Sequence, residues 1–318
     1  MYDICILGAG PCGIALLNAL HSKYNVIIIE EVQPFNSLKN FMINMVWHSP
    51  WRLCKLEDKN FSGVNIHAYP TIENLIQKYE EFIEEKNLKN KIIIDKVKEI
   101  SNQDNLCHIK GQNNNYISRC VVCCTGSIKF PISVPFPIIN SNVYRKIKDY
   151  TNIRNQNIVC IGGGYSSIDL STRLNRLNNK IIILTRGYEQ EVYNKLRTQN
   201  NPNHCAYTPG ISHHNILPLH YNHIQKIENN KLFFDSKAIK FDKCYIFWGY
   251  NNAYTDIKLM SNIREKVYRI SIDTIEELYG SEGGNEGGSV TTNRYPLQTA
   301  PIPNSINNYI NNIINMLK

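Results

Sequence analysis

One pattern occurs twice in this chain and constrains it more than any other: a short apolar strand, a glycine-rich turn, a helix and a second apolar strand. In the first copy Tyr2-Asp3-Ile4-Cys5-Ile6-Leu7 runs into Gly8-Ala9-Gly10-Pro11-Cys12-Gly13. Residues 14–21 then have helical composition, and Val26-Ile27-Ile28-Ile29 follows as a continuous β-branched run. Such a run suits a strand buried on both faces of a parallel sheet. In the second copy Asn157 to Ile161 is the strand, Gly162-Gly163-Gly164 the turn, Ser166 to Leu177 the helix and Lys180 to Leu184 the next strand. An internal repeat of one supersecondary unit predicts an α/β fold with two Rossmann-like, three-layer domains.

The turns carry the chemistry. Gly8, Gly10 and Gly13 have the G-x-G-x-x-G spacing. The first glycine permits a tight turn, the second lets the backbone approach a diphosphate, and the third lets helix and sheet pack closely. The diphosphate sits on the free N–H groups where the helix begins, next to Pro11 and Cys12. Glu30 closes the unit about 20 residues on, where an acid binds ribose hydroxyls. The second turn reads Gly162-Gly163-Gly164-Tyr165-Ser166-Ser167, with Ser167 in place of the third glycine. Its second strand ends in Thr185-Arg186. A carboxylate there repels a 2′-phosphate and an arginine pairs with it, which favours NADPH and leaves NADH possible. Arg186 equally reads as a solvated strand-end charge. Two such units imply two dinucleotides, and hydride transfer from a nicotinamide to a flavin is the economical account.

Between the copies, residues 71–86 predict an amphipathic helix with Ile72, Leu75, Ile76, Tyr79 and Ile83 on one side, started by Thr71. Residues 91–125 read as strands with a polar hairpin around Gly111 to Asn115. The proline-rich stretch 131–137 marks a crossing between domains. Residues 199–223 read as loop, and Tyr245 to Trp248 as a strand ending at Gly249. Further on, 267–272 predicts a strand, 280–289 a glycine-rich loop, and 305–317 a final helix.

These residues resemble the two-dinucleotide-binding flavoproteins, which include low-molecular-weight thioredoxin reductases and flavin-containing monooxygenases. Val121-Val122-Cys123-Cys124-Thr125-Gly126 is similar to the strand leading out of their FAD domain, and Phe247-Trp248-Gly249-Tyr250 to the strand leading back. The resemblance implies a discontinuous FAD domain, 1–130 plus 254–318, with a nicotinamide domain, 131–253, inserted. Gly-Pro-Cys-Gly in the first turn, Gly-Gly-x-x-Ser-x-Ile-Asp in the second (Asp169) and Gly249, Tyr250 and Tyr254 resemble the bacillithiol-disulfide-reductase-like group. That resemblance implies a redox role for Cys12. The residue also reads as a small side chain packed in a tight turn. It further implies that the segment 45–54 covers the flavin ring, with Trp47 and Trp51 as walls and His48 as a proton or hydrogen-bond donor. A surface aromatic cluster is the other reading of these three. Asp273 is the nearest match to the late Gly-Asp flavin motif, with Gln298 beyond it. The C-x-x-C of thioredoxin reductases is absent between Gly162 and Trp248, and Cys120-x-x-Cys123 lies in a predicted buried strand.

The expected activity is an FAD-dependent NAD(P)H oxidoreductase passing electrons to a small-molecule acceptor, by resemblance a low-molecular-weight disulfide. A flavin-dependent N- or S-monooxygenase and a non-catalytic dinucleotide-binding or redox-sensing protein are the alternatives. Composition is compatible with each. The net charge of +8, from 35 basic and 27 acidic residues, contains no basic block of the kind that forms a nucleic-acid arm. No apolar run reaches the roughly 18 residues that span a bilayer. Ten cysteines behind an N-terminus that already reads as a strand predict free thiols and a cytoplasmic protein. His204, His213, His214, His220 and His223 follow no metal-ligand spacing, so no metal is expected. A homodimer is the expectation from relatives.

Overall fold

Each repeated pattern builds the parallel part of its own sheet. The computed structural model describes residues 1–47, 49–126, 133–162, 165–185, 216–218, 223–235, 237–248, 258–259 and 267–269. The chain divides into two units: Met1–Asn40, Val46–Lys129 and Asn252–Lys318 form the first, and Phe41–Met45 with Phe130–Asn251 the second.

The first unit begins with β1 (Tyr2–Leu7), α1 (Pro11–Leu20) and β2 (Val26–Glu30), followed by the short helices α2 (Asn36–Lys39) and α3 (Trp51–Cys54). Then come α4 (Ile72–Glu85), β3 (Ile92–Ile94), β4 (Glu99–Gln103), β5 (Leu106–Lys110) and β6 (Asn115–Cys123). In α4 the Thr71 hydroxyl accepts from Asn74 N–H at 3.2 Å, so the predicted start holds. Its buried face is Ile72, Leu75, Tyr79, Phe82 and Ile83. Phe82 replaces the expected Ile76, which is half-buried, because the stripe drifts around the helix with its 3.6-residue period.

In the second unit β7 (Ile138–Ile139) and β8 (Val143–Tyr144) precede β9 (Asn157–Ile161), α5 (Tyr165–Asn175) and β10 (Lys180–Thr185). There follow β11 (Ile216–Pro218), β12 (Ile224–Glu228), β13 (Lys231–Phe234), β14 (Lys237–Lys240) and β15 (Lys243–Ile246). The chain re-enters the first unit with β16 (Lys258–Leu259) and β17 (Val267–Arg269). The expected loop 280–289 and helix 305–317 lie outside the described residues.

The first sheet runs β16-β4-β5-β6-β1-β2-β3, with β17 also on β6. Strand β6 is shared: Asn115 to Ser118 pair antiparallel with β5, while Val121 to Cys123 pair parallel with β17. One core joins the parallel strands to the β4–β5–β6 meander, from Cys5, Leu7, Ile27 and Ile29 on one side to Ile100, Cys107, Ile109 and Tyr116 on the other. Ile4, Ile6 and Ile28 alternate to the opposite face and are fully buried as well. This double burial is why the strands read as unbroken apolar runs.

In the second unit a five-stranded sheet, β11-β10-β9-β15-β8, lies over a four-stranded sheet, β14-β13-β12-β7. Val159, Ile161, Leu184, Cys244 and Ile246 meet Ile224, Ile227, Leu232, Phe234 and Phe241 between the sheets. Tight turns follow local chemistry. Asp104-Asn105 joins β4 to β5 and Asn229-Asn230 joins β12 to β13, all four at positive φ. That pairing is the hairpin turn whose twist matches the strands.

Candidate functional site

Gly8 ends β1 at φ +100°, and its N–H donates to Ile29 O at 2.9 Å. A Cβ on Gly8 would lie 2.6 Å from Cys124 O, and Cys124 N–H donates to Leu7 O at 2.7 Å. The second turn repeats this residue for residue. Gly162 is at φ +105°, its N–H donates to Leu184 O at 3.0 Å, and a Cβ would strike Phe247 O. Phe247 N–H donates to Ile161 O at 2.7 Å. Leu7, Gly8, Ile29 and Cys124 therefore correspond to Ile161, Gly162, Leu184 and Phe247. The strands leading into these contacts, 121–123 and 244–246, are likewise equivalent, as their parallel pairing with β1 and β9 requires.

The remaining glycines of the first turn separate into two kinds. A Cβ on Gly13 would run into Gly8 O, so helix–turn contact demands glycine there. A Cβ on Gly10 would meet nothing within 4 Å. Among the described residues no contact requires that glycine, which leaves open space at the start of α1. The N-cap of α1 is Gly10 itself, Pro11 occupies the first turn, and no side chain caps the helix. Close to Gly8, where a Cβ would lie 3.2 Å from Thr125 Cα, the Thr125 hydroxyl is buried without a hydrogen-bond partner among the described residues, and Gly126 follows at φ +67° with nothing within 4 Å of where its Cβ would stand. An uncapped helix start, an open glycine and an orphaned hydroxyl fit a diphosphate-bearing cofactor such as FAD.

Glu30 ends β2 and is already engaged. Its Oε2 accepts from Ala9 N–H at 2.7 Å and its Oε1 from Val32 N–H at 3.2 Å. Cys12 is buried in the first turn of α1, and burial pushes its thiol up to about 11. Trp47 is half-buried and its backbone N–H donates to Pro70 O at 2.8 Å. Trp51 is 7% exposed, with its ring edge-on to Phe61 at 5.8 Å. Phe61, Tyr79 and Phe35 continue that cluster at 5.9 and 5.2 Å. His48, Gly164, Arg186, Gly249 and Asp273 lie outside the described residues.

In the second unit α5 begins at Tyr165, Ser166 is exposed and Ser167 is fully buried. Because Leu184 corresponds to Ile29, Thr185 falls at the position of Glu30 and Arg186 one residue beyond. Asp169, flagged by its motif, is 3% exposed and accepts from Arg173 Nε at 3.3 Å, while Arg173 Nη1 contacts the Tyr150 hydroxyl at 3.2 Å. Burial by itself lowers the Arg173 pKa, but Tyr150 and Asp169 outweigh it and hold the guanidinium above its ordinary value. The sequence reading did not single out Arg173 or Tyr150. Their signal was the four-residue Asp–Arg spacing on a helix.

Among the described residues no His, Cys, Asp or Glu cluster is arranged to hold a metal ion, and no helix is long and apolar enough to cross a membrane. Cys120 and Cys123 are buried in β6, and the nine described cysteines are free thiols.

The chain matches the family described as pyridine nucleotide-disulphide oxidoreductase over residues 5–277. It is 25% identical over 189 residues to the bacilliredoxin reductase Bdr of Bacillus subtilis (strain 168), covering 58% of this chain and 57% of that protein. It is 24% identical over 306 residues to ferredoxin–NADP reductase 1 of Bacillus thuringiensis (strain Al Hakam), covering 91% and 79%. Its fold is shared with the bacillithiol disulfide reductase Bdr (YpdA) of Staphylococcus aureus, with a TM-score of 0.68, 16% identity, and coverage of 96% and 98%.

Proposed function

We propose that this chain, which belongs to the pyridine nucleotide-disulphide oxidoreductase family, is an FAD-dependent oxidoreductase that draws electrons from NADPH and delivers them to a low-molecular-weight disulfide. When bound, the nicotinamide supplies a hydride and the flavin relays two electrons. The protein binds, orients and separates the two. Gly8, Gly10 and Gly13 with the start of α1 hold the FAD diphosphate, and Thr125 and Gly126 line the same space. Gly162, Gly164 and the start of α5, with Tyr165, Ser166 and Ser167, hold the nicotinamide dinucleotide. Thr185 at the acid position leaves no carboxylate to repel a 2′-phosphate, and Arg186 supplies a cation for it. Trp47, Trp51, His48, Gly249 and Asp273 belong to the flavin side of this reading.

The overall reaction balances as disulfide plus NADPH plus a proton giving two thiols and NADP⁺. The name of the Staphylococcus aureus protein, bacillithiol disulfide reductase, motivates a disulfide as acceptor. A buried thiol at about 11 is protonated at neutral pH and is a poor nucleophile, which favours packing over redox work for Cys12. A protein with free cysteines throughout its described residues suits the cytoplasm.

The observation that carries the reading is the open space at Gly10 on an uncapped helix start, together with the orphaned Thr125 hydroxyl close to Gly8. An anaerobic titration tests it. One equivalent of NADPH should bleach the bound flavin, NADH should do so only at higher concentration, and a small disulfide should restore the colour. Protein that takes up no flavin, or flavin that NADPH leaves oxidised, refutes the proposal.

A further inference from the structure

Ala9 lies between the two glycines of the first turn and is fully buried. Both of its backbone groups are taken by one stretch of chain. Glu30 Oε2 accepts its N–H at 2.7 Å, and Phe35 N–H donates to its carbonyl at 3.0 Å. Glu30 Oε1 also accepts from Val32 N–H at 3.2 Å, which fixes the turn between them. Phe35 stands at φ 59° and ψ 23°, the left-handed region. Every other non-glycine described residue at positive φ is Asn or Asp, whose short polar side chains tolerate it. A phenylalanine there is strained and persists only where its surroundings over-determine it. They do so here: the ring is 1% exposed and packs on Tyr79 at 5.2 Å, and the N–H is held by Ala9.

We infer that residues 30–35 form a bracket that sets the first glycine turn in its ligand-ready shape before any cofactor arrives. Glu30 is in this view a positioning residue for the diphosphate, through Ala9, in addition to any contact with a ribose. In the second copy Thr185 takes the sequence position of Glu30. The identity of the ligand rests on the flavin reading above, but the bracket itself does not depend on it.

Amide hydrogen exchange on the cofactor-free protein is the test, with FAD binding measured in parallel on the same samples. In the unaltered protein the Ala9 and Val32 amides should exchange slowly without FAD. In Glu30→Ala both should exchange about tenfold faster or more, as expected for a lost charge-assisted hydrogen bond, and the FAD dissociation constant should rise by a similar factor. Glu30→Gln, which keeps one acceptor oxygen, should fall between them and serves if the alanine variant does not fold. Equal Ala9 exchange in variant and parent overturns the inference, even if FAD affinity falls, since that is the signature of a ribose contact alone. Faster Ala9 exchange in a protein that never takes up FAD supports the bracket and refutes the flavin reading instead.

Discussion

Gly8 and Gly162 are the two residues whose identity the backbone dictates most strictly. Each sits at positive φ with a carbonyl where a Cβ would stand. Replacing either by alanine combines left-handed strain with a steric collision and should cost about 2 kcal/mol or more. The two substitutions should be separable by ligand. Gly8→Ala should empty the protein of flavin, measured by the absorbance of the purified chain. Gly162→Ala should keep the yellow colour and lose NADPH affinity, measured by equilibrium titration. Loss of both ligands in either variant would contradict independent sites. Ser167 shows that the third glycine of the motif is not obligatory in the second turn. At the corresponding first-turn position a Cβ on Gly13 would run into Gly8 O and lie 3.5 Å from the Cys124 Cβ. The second turn carries Ser167 and Phe247 at these two positions, larger at both. Asparagine has a structural use here: among the described residues every non-glycine at positive φ except Phe35 is Asn or Asp.

At the scale of elements, two carboxylates tie pieces together; the Asp169–Arg173 spacing is a local signal for one, and nothing local signals the other. Asp95, just past β3, is 2% exposed and accepts from the N–H groups of Gln112, Asn113 and Asn114 at 3.0 Å each, and from the Tyr116 hydroxyl at 2.9 Å. It pins the β5–β6 hairpin to the end of β3. Burial alone would raise its pKa, but the four donors outweigh it and hold the carboxyl below its ordinary value. A depressed folded pKa contributes stability that is present at neutral pH. That stability is lost as pH falls below about 4 and on through the folded value. Asp95→Ala should lower unfolding free energy by about 2–4 kcal/mol at pH 7, and by much less near pH 2, in urea melts at the two pH values. Equal losses at both would refute the role. The Asp169–Arg173 pair fastens α5 to the loop carrying Tyr150. Arg173→Met strands a buried carboxylate and should cost about 3 kcal/mol, and adding Asp169→Asn should recover part of it. The elements themselves were readable: β1, α1, β2, α4, β9, α5 and β10 appear within a few residues of their expected bounds. The four-stranded sheet of the second unit was not, because its strands are short and half polar and gain their apolar partners only from β9, β10 and β15.

Across the whole molecule, buried thiols are the most unusual inventory. Burial raises Cys12 and Cys160 to about 11 and Cys54 and Cys120 to about 12. An acid whose folded pKa lies above its unfolded value holds its proton more tightly when folded, so stability falls as pH rises from about 9 towards the folded values. Melting temperature should therefore drop steeply between pH 9 and 11, and cysteine-to-serine or -alanine variants should flatten the drop; a flat profile in the parent would count against buried thiols. The fate of these cysteines illustrates what each level decided. Sequence alone determined that two strand–turn–helix–strand units exist and where their glycines fall, because periodicity and turn chemistry are local properties of consecutive residues. Only tertiary structure decided that Gly10 faces open space while Gly13 does not, that Glu30 and Phe35 close on Ala9, and that Asp95 reaches a hairpin some twenty residues away. Those outcomes depend on which distant atoms occupy the neighbouring volume, and no local pattern encodes that.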